Sequence, residues 1–210
     1  PASKIQMTGN PVRKDILNVA SKRQQALEYF GLQANKPTVL VIGGSQGAKN
    51  INESIDGGLT SLVNEGCQVV WQTGKLYIDR AKTAAEVFAG QVYVSDFIYE
   101  MDLAYAVADI VVSRAGALSV SELCLAGKPS ILVPLPTAAE DHQTKNAMSL
   151  VENHAAILVK DIQAREELVK VALGLLQDKT KQNLLTENIL KLGKPNAAVE
   201  IAQQVLGLVK

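Results

Sequence analysis

The amino-acid sequence predicts an α/β fold, a Rossmann-like doubly wound parallel sheet with a helical C-terminal tail. Six short runs of mostly β-branched apolar residues are nearly continuous in hydrophobicity, which is typical of strands buried on both faces. Segments with helical periodicity separate these runs, and this alternation favours right-handed βαβ units. The composition, 47% hydrophobic and 20% charged over 210 residues, can supply a full core and excludes intrinsic disorder.

The predicted elements follow one another in a regular order. A polar lead-in precedes a helix over 18–30, which Gly31 closes. The strands are predicted at 38–42, 68–71, 91–94, 109–112, 130–133 and 156–159, and the helices between them at 48–64, 76–88, 99–107, 117–126 and 142–153. Helices at 163–177, 180–191 and 196–208 follow the last strand, and Gly193 and Pro195 separate the last two. We therefore expect one α/β domain with a helical tail.

Charge and composition exclude several classes of protein. The 21 basic and 21 acidic residues balance, which argues against broad electrostatic binding of nucleic acid. The longest uncharged stretch, 37–48, has twelve residues and is too short for a membrane-spanning helix of about 18. The N-terminus shows no signal peptide, and its lack of Met indicates a fragment or a processed product. Cys67 and Cys124 are predicted to be buried, reduced thiols of a cytosolic protein.

A glycine-rich loop, 43–48 (Gly-Gly-Ser-Gln-Gly-Ala), lies directly between the first strand and the next helix. Glycines let backbone N–H groups approach an anion, and the helix N-terminus adds partial positive charge. The loop is predicted to bind phosphate, and the alternative is a tight strand–helix turn. Because position 45 is Ser, the loop lacks the G-x-G-x-x-G fingerprint, so an NAD-dependent dehydrogenase is disfavoured.

The same loop spells G-x-S-x-G, the nucleophile elbow of α/β-hydrolases, with Ser45 as the nucleophile. His142, His154 and Asp141 are the available partners for a catalytic triad. A hydrolase elbow normally follows several strands, one of which supplies the oxyanion loop, whereas this loop follows the first strand. The serine hydrolase therefore remains a minor alternative.

A second loop with the same character follows the fourth predicted strand, at 113–116, and opens the helix 117–126. Its free amides form a second predicted anion site. Glu122 lies in the first turns of that helix, where the helix dipole alone would favour a carboxylate. A carboxylate there can also accept hydrogen bonds from the two hydroxyls of a ribose. Two anion sites and a diol acceptor together predict a nucleoside diphosphate ligand.

Three other segments offer weaker candidate contacts. Gln143 and Asn146 begin the helix at 142–153 and are candidates for binding sugar hydroxyls, although a polar helix start is equally common. Phe97 and Ile98 follow the third strand and form either an apolar wall for a base or part of the core. Arg13, in the lead-in, carries a planar fork suited to a phosphate.

No metal or cofactor is predicted. His142 and His154 are twelve positions apart, without Cys, Asp or Glu at metal-ligand spacing. The sequence contains no Asp-x-Asp pair to hold a metal-bound diphosphate. The helix N-termini are therefore expected to balance the charge of the ligand.

Five of these stretches occur together in a specific order and cover nearly the whole chain. They are Gly9-Asn10-Pro11-Val12-Arg13, the loop 43–48, Phe97-Ile98, the segment Arg114-Ala115-Gly116-Ala117-Leu118-Ser119-Val120-Ser121-Glu122, and His142-Gln143-x-x-Asn146-Ala147. This ordered set resembles the C-terminal domain of the MurG family of peptidoglycan glycosyltransferases, which are two-domain enzymes of the GT-B class. The resemblance implies a UDP-GlcNAc donor, an acceptor called lipid I, and inversion at the anomeric carbon without a metal, giving lipid II.

The resemblance also implies which residues bind the donor. The implied set is Arg13, Ser45, Gln46, Gly47, Ile98, Ala117, Leu118, Ser119, Val120, Ser121, Glu122 and Gln143. In it, Ser45 and Arg13 lie near the diphosphate, and the backbone of Ile98 recognises uracil. Residues 117–121 contact phosphate and sugar, Glu122 binds the ribose diol, and Gln143 binds the GlcNAc hydroxyls.

By the same resemblance, residues 1–20 form an inter-domain lead-in, 21–195 the donor-binding domain, and 196–210 a helix that packs on an N-terminal domain. The family's Gly-Gly-x-Gly-Gly-His loop, expected to serve catalysis, does not occur in these 210 residues. The lipid I site and a peripheral contact with the cytoplasmic face of the inner membrane are also expected on the N-terminal half. We therefore expect this chain to be soluble and to bind donor without turnover.

The alternatives are another UDP-sugar GT-B transferase, a UDP-GlcNAc epimerase and a non-catalytic nucleotide-binding module.

Overall fold

The computed structural model describes residues 5–208, and its strands form one parallel sheet. The strands are β1 (Thr38–Ile42), β2 (Gln68–Gln72), β3 (Val92–Ser95), β4 (Ile110–Ser113), β5 (Ser130–Leu132) and β6 (Ile157–Leu158). Their order within the described residues is β3-β2-β1-β4-β5-β6, and each neighbouring pair is parallel. Thr38 is in register with Gln68, and Val39 with Ile110. The predicted Rossmann-like fold is confirmed.

Helices cover both faces of this sheet. They are α1 (Arg23–Phe30), α2 (Lys49–Asn64), α3 (Ile78–Ala85), α4 (Met101–Val107), α5 (Ala117–Ala126), α6 (His142–Val151), α7 (Ala164–Gln177), α8 (Lys179–Lys191) and α9 (Ala197–Gly207). Short 3₁₀ segments lie at Lys14–Lys22, Glu86–Phe88, Ala139–Asp141 and Asp161–Gln163. Each predicted helix has its counterpart among these elements.

The prediction of an α-helix over 18–30 is wrong for the first part of that range. A 3₁₀ segment runs from Lys14 to Lys22 with a break at Asn18, and the α-helix begins only at Arg23. The buried residues of this segment, Ile16 and Val19, are three positions apart. Both are buried on either side of the break at Asn18, so this part of the chain packs against the core without forming an α-helix.

Two cores, one on each side of the sheet, explain why the strands have continuous apolar sequences. All five residues of β1 are buried. Leu40 and Ile42 face the core formed with α1, α4, α5 and α6, whereas Val39 and Val41 face the core formed with α2, α3 and α7. Because alternate residues point to opposite faces, a strand covered on both sides needs apolar residues at every position.

The burial of both cysteines agrees with expectation, and the C-terminal helix α9 exposes apolar side chains. Cys67 and Cys124 are free and buried, and burial raises the pKa of the Cys124 thiol to about 11. Val199 and Val205 on α9 are at least half exposed. The predicted lead-in and tail extend into residues 1–4 and 209–210, which lie outside the described residues, and the division at 20 and 195 stays a prediction. Within the described part, no helix is both long and apolar enough to cross a membrane.

A partly buried lysine, Lys128, lies at the amino-terminal edge of the sheet. Lys128 Nζ donates a hydrogen bond of 2.8 Å to the carbonyl of Ala108. Nearby, Arg23 pairs with the carboxylate of Asp109 at 3.3 Å. Burial, which outweighs the opposite effect of Asp109, lowers the pKa of Lys128 from 10.5 to about 8. The protonated form of Lys128 is therefore less favourable in the folded chain than in the unfolded chain.

We expect this lysine to make stability rise with pH. Between pH 8 and 10.5 the unfolded chain binds more protons at this residue than the folded chain, so the free energy of unfolding increases over that window. Lys128→Met should abolish this contribution, as measured by urea unfolding from pH 7 to 10.5 with exposed Lys170→Met as the control. A constant stability difference between wild type and Lys128→Met across the window would contradict the prediction.

Candidate functional site

The topology of the sheet opens a crevice between the carboxyl ends of β1 and β4. From β1 the chain continues to β2 on one side, whereas β4 lies on the other side. The following helices, α2 and α5, contribute to the cores on opposite faces of the sheet. Such a switch point is where open α/β sheets bind ligands. A cavity of about 520 Å³ lies there, lined by 43–50, Ser113, Arg114, Gly116, Ser119, 135–137, Gln143 and Asp161.

The glycine-rich loop forms one wall of this cavity. Gly47 N donates to Gly44 O at 3.0 Å, which closes a tight turn. Both glycines have positive φ, +79° at Gly44 and +77° at Gly47. Ser45 and Gln46 are exposed at the tip, and their backbone N–H groups donate no hydrogen bond within residues 5–208. The loop thus presents two free donors to the cavity, the arrangement expected of an anion site.

The start of α5 forms the facing wall. Its N-cap residue, Gly116, is extended and supplies no side-chain cap. The first backbone bond that closes the helix runs from Val120 N to Gly116 O at 2.9 Å. The N–H groups of Ala117, Leu118 and Ser119 precede that bond, so they have no intrahelical acceptor. The structure therefore brings the two predicted anion sites to the same crevice, which Gly116 and Ser119 line together with the glycine-rich loop.

Glu122 lies one turn further along α5 and is largely buried. Tyr105 Oη donates to Glu122 Oε2 at 3.0 Å, and Arg13 Nε lies 3.9 Å from Glu122 Oε1. Burial raises the pKa of Glu122, against the lowering effects of Tyr105 and Arg13. Arg13 also donates to the carbonyl of Tyr99 at 3.3 Å. Arg13, considered above as a phosphate ligand, thus lies against the candidate ribose carboxylate, where its charge has a partner.

Gln143 and Asn146 hold neighbouring loops together. Gln143 Oε1 accepts hydrogen bonds from Ala115 N at 3.3 Å and Leu135 N at 3.0 Å. Asn146 Nδ2 donates to the carbonyl of Ala115 at 3.0 Å. The oxygen of Gln143 is therefore occupied, whereas its NH₂ group makes no hydrogen bond within the described residues and lines the cavity edge. Of the two candidate sugar contacts, Gln143 keeps free donors.

Several of the other predicted contacts lie at two depressions outside the main cavity. The side chain of Ile98 is buried in the core, and its backbone N–H and C=O make no hydrogen bond within residues 5–208. Beside it, Phe97 and Tyr99 line a depression of about 430 Å³ that shares Ser45 and Gln46 with the main cavity. Val120 and Ser121, in contrast, line a separate depression of about 380 Å³ beside the lead-in. The implied ligands 117–121 therefore do not all face the same cavity.

A buried ion pair that the sequence analysis missed supports the floor of the main cavity. Arg114 Nη1 lies 2.5 Å from Asp161 Oδ1, and each side chain is 12% exposed. The same nitrogen donates to the carbonyls of Val133 and Pro134 at 3.1 and 3.2 Å. Asn50 Nδ2 donates to Asp161 Oδ2 at 2.6 Å. This network joins the ends of β4, β5 and β6 to the start of α2, and no local sequence motif predicts it.

The serine-hydrolase alternative finds no support in this geometry. Ser45 makes no hydrogen bond to His142 or His154 within the described residues, so the nucleophile–base pair of such an enzyme is not assembled. His142 Nδ1 instead lies 2.6 Å from the carbonyl of Ala139. Within residues 5–208, no group of three or more His, Cys, Asp or Glu side chains could hold a metal ion.

Comparison with known proteins agrees with this geometry. A curated relative from Cytophaga hutchinsonii is named UDP-N-acetylglucosamine–N-acetylmuramyl-(pentapeptide) pyrophosphoryl-undecaprenol N-acetylglucosamine transferase. It is 49% identical to this chain over 209 residues, and the alignment covers 100% of this chain and 56% of the relative. The chain thus spans about half the length of the curated relatives it matches. The crystal structure of MurG from Acinetobacter baumannii has a TM-score of 0.75 and 31% identity, covering 91% of this chain and 55% of that chain.

A solved UDP-N-acetylglucosamine 2-epimerase, 17% identical with a TM-score of 0.63, covers 98% of this chain and 52% of its own and shares the fold. The model of the glycosyltransferase family 28 C-terminal domain matches residues 38–205, which include all six strands and the loops that line the crevice. By this match over most of its length, the chain belongs to glycosyltransferase family 28, as a C-terminal domain of that family.

Proposed function

We propose that this chain is the donor-binding half of an enzyme that transfers GlcNAc from UDP-GlcNAc to lipid I, giving lipid II for peptidoglycan. One observation carries the proposal. Two sets of backbone N–H groups without a partner in residues 5–208, at Ser45–Gln46 and at the start of α5, border the same crevice, with the carboxylate of Glu122 one turn along α5. The names of the curated relatives support the donor and acceptor.

The donor fits this crevice in one direction. The diphosphate lies between the amides of Ser45 and Gln46 and the first turn of α5, where helix-dipole and amide charges balance it. The ribose hydroxyls donate to Glu122. The base lies against the free backbone edge of Ile98, beside Phe97. The sugar then reaches the donor NH₂ group of Gln143 at the other end of the cavity.

In the proposed reaction, an acceptor hydroxyl attacks the anomeric carbon of GlcNAc as the bond from that carbon to the diphosphate oxygen breaks. UDP leaves with the electron pair of that bond, and the fixed N–H groups stabilise its negative charge. A general base takes the acceptor proton. We place this base, the lipid I site and the contact with the cytoplasmic face of the inner membrane in the part of the relatives that this chain does not span. The chain alone then binds donor without turnover.

Glu122→Ala should weaken UDP binding at least about tenfold, which corresponds to about 1.4 kcal/mol. The substitution removes the acceptor for both ribose hydroxyls and leaves the phosphate-binding amides in place. Calorimetric titration with UDP and UDP-GlcNAc in EDTA, beside ADP and NAD, measures this effect. Glu187→Ala, which removes an exposed carboxylate on α8, serves as the matched control and should leave UDP affinity unchanged.

Selective binding of the uridine nucleotides in EDTA, lost with Glu122→Ala and kept with Glu187→Ala, is the expected result. Equal affinity for ADP or NAD would instead indicate a general nucleotide-binding module. If no uridine nucleotide binds even after the N-terminal half of a relative is added, the proposed function is wrong.

A further inference from the structure

We propose that Asn10 is a positioning residue that braces the first turn of α5 so that its free N–H groups are held ready for the diphosphate. This inference rests on the proposed function, because it assigns a task to a residue next to the same site. Asn10 lies in the lead-in, is exposed, and does not line the main cavity.

Asn10, Ser121 and Ala117 form a closed set of hydrogen bonds. Asn10 Nδ2 donates to Ser121 Oγ at 2.9 Å and approaches the carbonyl of Ala117 at 3.4 Å. Ser121 Oγ in turn donates to the same carbonyl at 2.9 Å. Ala117 is the first residue of α5, so these bonds tie the lead-in to the very start of the helix.

The start of α5 needs such a brace because its own sequence supplies none. Helices commonly begin with a side chain that accepts from a first-turn N–H group, whereas Gly116 has no side chain. Glycine also leaves the backbone conformationally free at that position. A second contact from the lead-in, Arg13 to Glu122, lies next to the first. Donors that are already ordered bind an anion with less loss of conformational entropy.

This geometry also gives Ser121 a role different from nucleotide contact. Its hydroxyl has one proton, which it donates to Ala117 O, and it accepts from Asn10. Ser121 and Asn10 line the depression of about 380 Å³ beside the lead-in, whereas Gly116 and Ser119 line the nucleotide cavity. Ser121 therefore affects ligand binding indirectly, by helping to fix the position of α5.

Asn10→Ala should weaken UDP binding about fivefold, the effect of one lost neutral hydrogen bond, and should change uridine binding less than about twofold. Uridine keeps the base and the ribose but lacks the phosphates that the braced N–H groups bind. Titrations followed by NMR chemical shifts measure both affinities, including weak ones. The control is Thr8→Ala in the same lead-in, because within residues 5–208 Thr8 Oγ1 donates only to the carbonyl of Gly9.

A double-mutant cycle tests whether Asn10 and Ser121 act as one unit. Ser121→Ala should weaken UDP binding by a similar factor, and Asn10→Ala/Ser121→Ala should be no weaker than the more affected single variant. If Ser121 touched the nucleotide directly, the two effects would multiply. A multiplicative result would overturn the assignment of Ser121 to the brace.

Three results would overturn the role of Asn10: unchanged UDP affinity, an equal loss for uridine, or an equal loss with Thr8→Ala. If the wild-type chain binds no uridine nucleotide even with the N-terminal half of a relative added, the proposed function fails, and amide hydrogen exchange still decides the inference. The N–H group of Val120, which closes the first turn of α5, should then exchange about fivefold faster in Asn10→Ala than in Thr8→Ala. Equal exchange in the two variants would show that Asn10 does not brace the helix.

Discussion

Replacing Arg114 with methionine should lower the free energy of unfolding by about 3–5 kcal/mol, the range for breaking one side of a buried ion pair. Methionine keeps an unbranched apolar side chain but cannot pair with Asp161, whose buried carboxylate would keep only Asn50 as a side-chain donor among the described residues. The carbonyls of Val133 and Pro134 would also lose their donor. Because these groups support three loops of the site, UDP affinity should fall together with stability.

Urea unfolding followed by circular dichroism measures this loss. The control is Arg80→Met, because Arg80 pairs with Asp56 at 2.6 Å while being 68% exposed, and exposed pairs contribute little. Arg114→Met/Asp161→Leu should recover part of the stability lost in the single variant, since no buried charge is left without a partner. Equal losses for the two arginines, or a further loss in the double variant, would show that the buried pair does not support the fold.

Gly47→Ala should be similarly damaging and should act directly on the phosphate-binding loop. A β-carbon at Gly47 would lie 2.2 Å from the carbonyl oxygen of Thr73, and the φ of +77° is already unfavourable for alanine. The left-handed conformation costs about 1–2 kcal/mol, and overpacking adds about 1–3 kcal/mol. Because the clash is with backbone, the loop has to move away from β2. The N–H groups of Ser45 and Gln46 then move with it.

Urea unfolding and UDP titration of Gly47→Ala should show a loss of about 2–5 kcal/mol in stability and at least about a tenfold loss in UDP affinity. Gly66→Ala is the matched control, because Gly66 has a φ of +79° but open space around its β-carbon position. Gly66→Ala should lower the free energy of unfolding only by the cost of the left-handed conformation, about 1–2 kcal/mol, and should leave UDP affinity unchanged. If both variants lose the same stability and both bind UDP normally, close packing at Gly47 is unimportant.

The strands were predictable because the four central ones, β1, β2, β4 and β5, are buried along their whole length and are mostly apolar. β1 was predicted at 38–42 and is found there, whereas the edge strand β6 is shorter than predicted, covering 157–158 rather than 156–159. The α-helix predicted at 18–30 was wrong in its first part, because residues 18–22 belong to the 3₁₀ segment Lys14–Lys22, which is buried at Ile16 and Val19.

The two loops of the candidate site were also recognisable from sequence. Small residues directly between a strand and a helix can form only a few kinds of turn, and parallel strands place their carboxyl ends at one edge of the sheet. The sequence could not reveal which side chains bond each other there. Arg114 and Asp161 are 47 positions apart, and Asn10 and Ser121 are 111 apart. The sequence likewise could not predict that Gln143 Oε1 accepts from Ala115 N and Leu135 N, because these groups come together only in the folded chain.

Local patterns thus established the fold class, the order of its elements and the two loops that make the crevice, because strand burial, helix periodicity and turn chemistry act over a few residues. The tertiary structure decided which polar groups remain free to bind and which already have partners. Within residues 5–208, Ser45 and Gln46 keep free amides, whereas Ser121 and Arg114 have partners from distant segments. That division depends on hydrogen-bond geometry within a few ångströms, which exists only once distant parts of the chain are packed together.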